Sequence, residues 1–518
     1  MQRIGIALLA VLSLTSTSCA PAQTASIVVH PSVSNGKVSD LLFGVGVEWT
    51  ENGNRIFDPN AHSVRKDIVS VLQPLHLSVV RFPGGILADY YHWTDGIGPY
   101  NKRPERRHPI DNSNQENTFG TDEYIEFCRA IGAQGLITAN YGTGTPSEAV
   151  AWQKYFATRG FSVRLWEIGN EIYLSEPREH ASVPGNDERI YHSADQYARD
   201  FPQWMSYLKK ADPQARVGAV AGTWNTSSQN RGWVEHIAHM GVRPDFVALH
   251  DAFAPLILHS YDFNNATKRT EAYRAMYAGA LSTGDDIENV KRMLPSTPIA
   301  ITEYFPLFGA GGSQSELLAI LDQSRTLAAS LYTASLFHVF MRDGVDIATY
   351  NLAVSKWFGA LVLDTDEGVI RSPHFYVFDL YRNYFGNKLV GINTIGGVTF
   401  YAEHIGVPQA RSGVPALDSI ASLDDSGRLV LAVINRDSIS AMPSKITVDG
   451  LPSGAQAEVK TLNGPADNAV NGRSLSPSTR GGPADSIIVK TTSWNYKPGE
   501  VYYFPPHSVT MLRWEPPN

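Results

Sequence analysis

The sequence predicts an α/β protein in which a (β/α)8 TIM barrel is followed by a C-terminal antiparallel β-sandwich. Up to Gly386, short apolar or β-branched runs alternate with segments of helical spacing. This alternation is typical of parallel strands that are joined by helices. After Gly386 the helical spacing fades, and strand-like runs follow one another with mainly Gly, Pro, Asn and Ser between them. Strands at short, regular intervals are typical of a sandwich.

Eight runs are the predicted barrel strands. Most of them are apolar throughout rather than alternating, as expected of strands that are buried on both faces. The strands are Leu42–Glu48, Ser78–Pro83, Leu136–Tyr141, Arg164–Ile168, Arg216–Ala221, Asp245–His250, Ile299–Glu303 and Val345–Tyr350. The predicted helices are Val64–Leu75, Thr121–Ile131, Ser147–Phe156, Ala194–Lys210, Gly232–Met240, Glu271–Met293, Glu316–Met341 and Pro373–Phe385. Alternating strands and helices in these numbers account for one barrel, which we place at residues 42–386.

The predicted sandwich comprises residues 387–518 together with residues 27–41. The run Ile27–Val33 is strand-like but precedes the barrel, so we expect it to pair with the sandwich. The segment Asn463–Asp485 is rich in Pro, Gly and Ser, which predicts a loop. The other strands are predicted at Gly397–Ala402, Ser419–Leu423, Arg428–Ile434, Ser444–Val448, Ala457–Thr461, Asp485–Lys490, Glu500–Phe504 and Ser508–Trp514.

Residues 1–22 are predicted to be a secretory signal peptide rather than part of the fold. Arg3 precedes the largely apolar run Ile4–Leu14, and Ala20-Pro21-Ala22 fits an A-x-A cleavage site. The run is too short for a membrane span, which needs ~20 residues. We therefore expect export to the periplasm or the exterior, with lipid attachment at Cys19 as an alternative. The other cysteine, Cys128, falls on the apolar face of a predicted helix, which indicates a buried structural thiol.

Composition argues against several classes of protein. A net charge of −8 argues against a nucleic-acid binder, which shows a basic surface. With 43% apolar and 18% charged residues, the chain does not have the composition of a disordered protein. The sequence contains no CxxC, HExxH or phosphate-loop motif, so we predict neither a metal nor a cofactor. Beyond the N-terminus, no apolar run is long enough to span a membrane.

Glutamates stand at the ends of three predicted barrel strands: Glu48, Glu171 and Glu303. Active sites of such barrels lie at the carboxyl ends of the strands. Two carboxylates in one cleft are what glycoside hydrolysis needs, one as acid and one as nucleophile or base. The alternative is that these glutamates only pair with arginines such as Arg81. Three glutamates at the ends of strands of one barrel favour hydrolysis of a carbohydrate.

Aromatic residues are frequent near the same strand ends, and Trp93 and Tyr304 are among them. Aromatic faces pack on apolar surfaces such as the C–H faces of sugars, so we predict substrate contacts for the group. His250 closes the sixth predicted strand. It either holds a sugar hydroxyl or the nucleophile, or it is a structural histidine.

A series of motifs lies in order along the barrel. They are Phe43-Gly44-Val45-Gly46-Val47-Glu48, Arg81-Phe82-Pro83-Gly84-Gly85, Tyr91-His92-Trp93-Thr94-Asp95-Gly96-Ile97-Gly98-Pro99, Arg103-Pro104, Phe119-Gly120-Thr121-Asp122-Glu123, Asn140-Tyr141-Gly142-Thr143-Gly144-Thr145 and Trp166-Glu167-Ile168-Gly169-Asn170-Glu171. Together they resemble glycoside hydrolase family 51, the α-L-arabinofuranosidase family of the retaining clan A. The resemblance implies a barrel with a β-sandwich.

The resemblance also implies a role for individual residues. Glu171 would be the acid/base and Glu303 the nucleophile of a retaining mechanism, which requires their carboxyl groups ~5–5.5 Å apart. Asn170 would contact the sugar 2-hydroxyl, and Glu48 would bind sugar hydroxyls. Arg81, Trp93, His250 and Tyr304 complete the predicted substrate-binding set.

Three positions depart from the family pattern. Ile86 stands where the family usually has Asn after Pro-Gly-Gly, and Ala252 stands where it has Tyr after the sixth-strand histidine. Tyr304 follows the nucleophile where Trp is common. Because the first two changes remove polar contacts from a sugar pocket, the sugar preference is open. An exo-acting α-L-arabinofuranosidase is the leading hypothesis. The alternatives are an endo-β-glycanase, a β-galactofuranosidase, a β-glucuronidase and a non-catalytic carbohydrate-binding protein.

Overall fold

The computed structural model describes residues 23–108, 113–174, 193–221, 228–309 and 312–516. The predicted signal peptide, with Cys19, lies outside these residues. Within the described ranges, no helix is both long and apolar enough to cross a membrane.

Eight parallel strands close into a barrel in the order in which they occur along the chain. Every predicted barrel strand corresponds to one observed strand, which confirms the predicted fold class. The barrel strands, numbered here first to eighth, are Gly44–Gly46, Val79–Phe82, Gln134–Ala139, Leu165–Ile168, Arg216–Val220, Phe246–Ala248, Ile299–Tyr304 and Ile347–Tyr350. Their residues are almost all buried, because one face fills the barrel and the other packs on helices.

The helices surround the barrel. The α-helices of seven or more residues in the described ranges are Lys66–Leu72, Thr121–Ile131, Pro146–Thr158, Ala194–Ala211, Ser228–Ala238, Ala266–Met293, Gln314–Gln323, Leu327–Arg342 and Pro373–Asp379. Shorter helical turns lie at Asp40–Leu42, Thr50–Asn54, Gln73–Leu75, Ile86–Tyr90, Trp93–Gly96, Tyr100–Lys102, Ile172–Leu174 and Leu380–Tyr384. The buried Cys128 lies in the second of the long helices, as predicted, and burial raises the pKa of its thiol.

The prediction of one helix over Glu316–Met341 is wrong. The chain forms two helices, and the first ends at Gln323. The second begins at Leu327 and is preceded by Thr326, whose hydroxyl accepts a hydrogen bond from the backbone N–H of Ala329. Threonine at this position satisfies a backbone donor that the new helix leaves unpaired, so the two helices can meet at an angle.

The C-terminal domain is built on a sheet of nine strands. Its first strand, Ala25–Lys37, runs antiparallel to Lys388–Ile395 and parallel to Met442–Val448, which confirms that the N-terminal run pairs with the sandwich. In chain order the strands are Ala25–Lys37, Lys388–Ile395, Leu417–Leu423, Leu429–Asn435, Met442–Val448, Gln456–Asn463, Ile488–Asn495, Val501–Phe504 and Ser508–Trp514. The central strand Leu429–Asn435 alternates between two cores: Leu431 and Val433 face the sandwich interior, while Val430 and Ala432 join the barrel core.

The observed sandwich differs from the predicted one at two strands. The run Gly397–Ala402 contains a strand, Thr399–Ala402, but it pairs with Arg411–Pro415 in a separate two-stranded sheet. Conversely, Lys388–Ile395 belongs to the large sheet and was not predicted. Its partner Ala25–Lys37 lies more than 350 residues away in the chain, so no local turn marks the pairing.

The remaining small sheets are Phe57–Asp58 with Ser63–Val64, Glu105–Arg107 with Asn114–Glu116, Pro255–Ile257 with Leu307–Gly309, and Val354–Ser355 with Val362–Thr365 and Gly368–Arg371.

Candidate active site

The closed barrel brings the predicted strand-end residues to one end. Glu48 follows the first strand, Glu171 the fourth and His250 the sixth, while Glu303 lies near the end of the seventh. Because the strands are parallel, their carboxyl ends share one rim. The site is therefore assembled from residues that are far apart in the sequence.

Arg81, from the second strand, is buried at the centre of the site. Its Nε donates to Oε2 of Glu167 at 2.9 Å, and its Nη1 donates to Oε2 of Glu303 at 3.2 Å. Its Nη2 donates to Oδ1 of Asn170 at 2.6 Å. The guanidinium thus pairs with one buried carboxylate and at the same time contacts two predicted site residues. Arg81 therefore pairs with the strand-end Glu303, as the alternative weighed from the sequence expects.

The orientation of the Asn170 amide follows from Arg81. Because the amide oxygen accepts from the guanidinium, the NH2 group points elsewhere, and Nδ2 is buried with no partner among the described residues. A buried donor without a partner is costly, so such a group is usually completed by a ligand or water. This geometry favours the predicted contact between Asn170 and a sugar hydroxyl.

Glu303 is recessed but reachable, with 14% of its side chain exposed. Besides Arg81 on Oε2, Nδ2 of Asn351 donates to Oε1 at 2.9 Å. Burial raises the pKa of Glu303, and electrostatic interactions with His250 and Arg81 oppose the rise. The hydrogen bonds show that both carboxylate oxygens of Glu303 accept from N–H donors, which is the environment of an ionised carboxylate. Asn351 was missed, although it directly follows the eighth predicted strand and the strand-end rule could have found it.

Glu171 has 15% of its side chain exposed, and its backbone adopts φ 37°, in the left-handed region. A non-glycine residue in this region costs energy and marks functional sites more often than chance. Its Oε1 lies 3.0 Å from Nδ1 of His250 and 3.4 Å from the hydroxyl of Tyr173. Glu171, which follows the fourth strand, thus contacts the ring of His250, which follows the sixth strand.

The proton on His250 can be assigned from its neighbours. The hydroxyl of Thr302 donates to Oε1 of Glu167 at 2.8 Å, so the Thr302 oxygen accepts from Nε2–H of His250 at 2.9 Å. Nε2 therefore carries a hydrogen, and Nδ1 shares one further hydrogen with Glu171. Either Glu171 donates as a carboxylic acid to neutral His250, or protonated His250 donates to the carboxylate. In the first state the proton is on Glu171, and in the second it is on Nδ1 of His250, 3.0 Å from the carboxylate.

The Pro-Gly-Gly turn lets the backbone lie beside two of the glutamates. Gly84 has φ +118°, and a Cβ there would lie 2.6 Å from Cγ of Glu48. A Cβ on Gly85 would lie 3.0 Å from Oε2 of Glu303. Only glycine meets both the backbone conformation and the close approach at residue 84.

Glu48 is fixed by Asn54, which donates from Nδ2 to its Oε2 at 3.0 Å and accepts its backbone N–H at 2.6 Å. Burial raises the pKa of Glu48 to about 7, and the charge of Glu303 contributes to the rise. Glu48 is thus neutral below about pH 7, in contrast to a free glutamate.

Replacing Glu48 by Gln is expected to change how stability depends on pH. A pKa raised from 4.5 to about 7 means that the folded state binds this proton more tightly than the unfolded state. The corresponding stability is complete below pH 4.5 and is lost as the pH rises to about 7. Between pH 4 and pH 8, the stability of the Gln variant relative to wild type should therefore rise by on the order of 3 kcal/mol. Urea unfolding across this pH range measures the difference.

The control for this experiment is Glu105→Gln, because Glu105 is an exposed glutamate in the strand Glu105–Arg107. Its stability difference from wild type should stay constant with pH. If the Glu48→Gln difference is equally constant, then Glu48 is not held neutral by its burial.

The structure corrects one predicted substrate contact. Tyr304 follows Glu303 on the strand, so its side chain points to the opposite side. It is 0% exposed and packs edge-on against Phe340 and Tyr350. A fully buried ring cannot contact a sugar, and the prediction for Tyr304 is wrong. Trp93 is mostly buried against Trp152 and Tyr155 of the helix Pro146–Thr158, so a sugar contact there stays a prediction.

Asp89 is a buried residue of the site that sequence reasoning missed. Its carboxylate accepts the backbone N–H groups of Asn170 at 2.9 Å and of Tyr141 and Gly142 at 3.2 Å. Burial raises its pKa to about 7, although the three N–H donors oppose the rise. Asp89 thus ties the loops after the second, third and fourth strands together and positions Asn170.

Two further positions that depart from the pattern of the resembled family are Ile86 and Ala252. Ile86 follows Gly85 and is half-buried, whereas Ala252 is fully buried beside Tyr304. Phe253 follows Ala252, and its ring lies edge-on to His250 at 6.3 Å. Among the described residues, no group of three or more His, Cys, Asp or Glu is arranged to hold a metal ion.

Comparison with known proteins agrees with this geometry. Residues 71–159 match the family model described as alpha-L-arabinofuranosidase 1 domain. A probable alpha-L-arabinofuranosidase C of Aspergillus clavatus is 27% identical over 97% of this chain and 99% of its own length.

Solved structures are similar over the same extent. An alpha-L-arabinofuranosidase of Thermotoga maritima, determined as an arabinose complex, has a TM-score of 0.74 at 24% identity, covering 95% of this chain and 99% of its own. A GH51 arabinofuranosidase of Xanthomonas axonopodis pv. citri has a TM-score of 0.77 at 20% identity, covering 95% of this chain and all of its own. The chain is thus similar over nearly its whole length to alpha-L-arabinofuranosidases, and it shares the fold of the solved structures.

Proposed function

We propose that the protein is a retaining, exo-acting α-L-arabinofuranosidase in which Glu303 is the nucleophile and Glu171 the acid/base. The observation that carries the assignment of roles is the difference in surroundings between two recessed carboxylates. Glu303 accepts from Arg81 and Asn351, whereas Glu171 shares a proton with His250. A nucleophile must be ionised and an acid must hold a proton, so each environment suits one role.

In the first step, a carboxylate oxygen of Glu303 attacks the anomeric carbon. The bond from that carbon to the glycosidic oxygen breaks, and the leaving oxygen takes the proton of Glu171. The N–H groups of Arg81 and Asn351 hold the nucleophile in place while its charge is consumed in the ester. The result is a glycosyl-enzyme ester and a free alcohol.

In the second step, Glu171 takes a proton from water as the water oxygen attacks the anomeric carbon. The ester bond to Glu303 breaks, and the sugar leaves with its original configuration. His250 lies 3.0 Å from Glu171 and can share the proton that the carboxyl group gains and loses in each cycle. The Nδ2 of Asn170 and the carboxyl of Glu48 are the polar groups placed to hold sugar hydroxyls.

The proposal is tested with a panel of aryl glycosides and an NMR time course. We expect release from 4-nitrophenyl α-L-arabinofuranoside, and the first product detected should be the α-anomer of arabinose. A β-anomer as the first product would contradict retention. Preference for the β-galactofuranoside or the β-glucuronide would show that Ile86 and Ala252 have changed the sugar specificity. Internal cleavage of an unbranched polysaccharide, seen as a rapid fall in viscosity, would contradict exo action.

A further inference from the structure

We propose that Glu167, acting through the hydroxyl group of Thr302, is a positioning residue that fixes which ring nitrogen of His250 carries a hydrogen. The other ring nitrogen, Nδ1, then faces Glu171 and shares its proton. This inference rests on the proposed function, because it concerns how the acid/base keeps the proton that it transfers. Glu167 is 0% and Thr302 1% exposed, so neither residue contacts the sugar, and both act through His250.

Glu167 is held as an anion by donors from three other barrel strands. Nε of Arg81 donates to its Oε2 at 2.9 Å, and the hydroxyl of Thr138 donates to the same oxygen at 3.1 Å. The hydroxyl of Thr302 donates to Oε1 at 2.8 Å. Pairing with a guanidinium favours the ionised carboxylate, and an ionised carboxylate can only accept hydrogen bonds. The single hydrogen of Thr302 is therefore committed to Glu167.

This commitment sets the direction of the next hydrogen bond. The Thr302 oxygen has no further hydrogen to give, so it accepts from Nε2–H of His250 at 2.9 Å. The direct distance from Nε2 to Oε1 of Glu167 is 3.8 Å, which is too long for a hydrogen bond. The threonine hydroxyl is thus the link by which a buried carboxylate fixes the hydrogen on Nε2.

The fixed hydrogen has a consequence at the other side of the ring. If the shared proton is lost, Nδ1 of His250 presents a lone pair to the Glu171 carboxylate at 3.0 Å, and the two acceptors repel each other. The ring cannot relieve this repulsion by moving its hydrogen to Nδ1, because Nε2–H would then be lost to Thr302. The hydrogen bonds from Glu167 therefore favour retention of the proton that Glu171 needs as an acid.

Several charged or titratable groups also face the pair of Glu171 and His250. Among the described residues they are Arg81 of the second strand, Glu167 of the fourth, Glu303 of the seventh, Tyr173 of the turn Ile172–Leu174, and Asp251. Asp89 and Tyr197 face Glu167 itself. Replacing Thr302 by Val changes none of these groups, so its effect on a pH profile reports the hydrogen bond and not a change in charge.

The test is the pH dependence of kcat/KM for phenyl α-L-arabinofuranoside, whose leaving oxygen needs a proton. In Thr302→Val the ring can carry its hydrogen on Nδ1 and donate it to the Glu171 carboxylate, which stabilises the state without the shared proton. We expect the midpoint of the basic limb to fall by about one pH unit, so that kcat/KM above it is roughly tenfold lower. For the 2,4-dinitrophenyl glycoside, whose leaving group departs unprotonated, kcat/KM should show no such shift.

Thr138→Val is the matched control. Thr138 is also fully buried, and its hydroxyl bonds to the same carboxylate, but at Oε2 and without a link to His250. Its basic limb should therefore stay at the wild-type midpoint. Thermal unfolding checks that both variants are folded.

Glu167→Gln tests the same link by a second route. The amide oxygen is expected to face Nε of Arg81, which turns the NH2 group towards Thr302 and reverses the direction of the hydrogen bonds. Its basic limb should shift in the same direction as that of Thr302→Val. An unmoved limb in the folded variants, or an equal shift in Thr138→Val, would overturn the inference. A wild type inactive on aryl arabinofuranosides would instead refute the proposed function.

Discussion

Replacing Glu303 by Ala is expected to reduce kcat for an aryl arabinofuranoside by about 10⁵-fold, as loss of an enzyme's nucleophile does in other covalent mechanisms. Without the carboxylate no glycosyl ester forms, and the cavity left by the side chain admits a small anion. Added azide should then attack the anomeric carbon from the face that Glu303 occupied. The product expected by NMR is the β-L-arabinofuranosyl azide, with inverted configuration.

The azide product makes this prediction specific to the nucleophile. A residue that only positions the substrate would lower the rate but would give no inverted azide. The variant should still fold, because Arg81 keeps Glu167 and Asn170 as partners. The control is Glu105→Gln, which removes one exposed carboxylate and should keep wild-type kcat. Wild-type turnover by Glu303→Ala, or azide with retained configuration, would contradict the assignment.

Replacing Glu171 by Ala is expected to have an effect that depends on the leaving group. For arabinoxylan, whose leaving oxygen needs a proton, kcat/KM should fall by about 10³-fold, within the usual contribution of a general acid. For 2,4-dinitrophenyl α-L-arabinofuranoside, whose leaving group departs unprotonated, kcat/KM should fall by less than about tenfold. Hydrolysis of the ester is slow in the variant because no base activates water.

Azide again separates the roles. In Glu171→Ala it needs no base, so it should attack the accumulated glycosyl ester and give α-L-arabinofuranosyl azide with retained configuration. The two variants should therefore give azides of opposite configuration. Equal losses on both substrates, without rescue by azide, would show that Glu171 positions the sugar and transfers no proton.

The barrel and its strand-end glutamates were predictable because their determinants are local. A buried parallel strand such as Leu165–Ile168 is a short apolar run, and Glu171 follows shortly after its end. The rule that active sites lie at strand ends needs only this order along the chain. It holds for Glu48 and Glu303 for the same reason.

Other features were not predictable because they depend on pairing or on the direction of a side chain. The strand Thr399–Ala402 has strand-like composition, but its partner decides which sheet it joins. Tyr304 lies beside Glu303 in sequence, and the alternation of side chains along a strand turns it into the core. Asp89 carries no motif, and its role arises only where three loops converge.

The sequence by itself determined the fold class and the position of Glu171 and Glu303 at strand ends, since periodicity and residue order record them directly. Only the tertiary structure decided what each carboxylate can do. Arg81 meets Glu167, Asn170 and Glu303 across separations of 86, 89 and 222 residues, and His250 meets Glu171 across 79. Whether a carboxylate is held as an anion or holds a proton depends on these neighbours and on burial. No stretch of sequence contains that information, because closure of the barrel creates the neighbours.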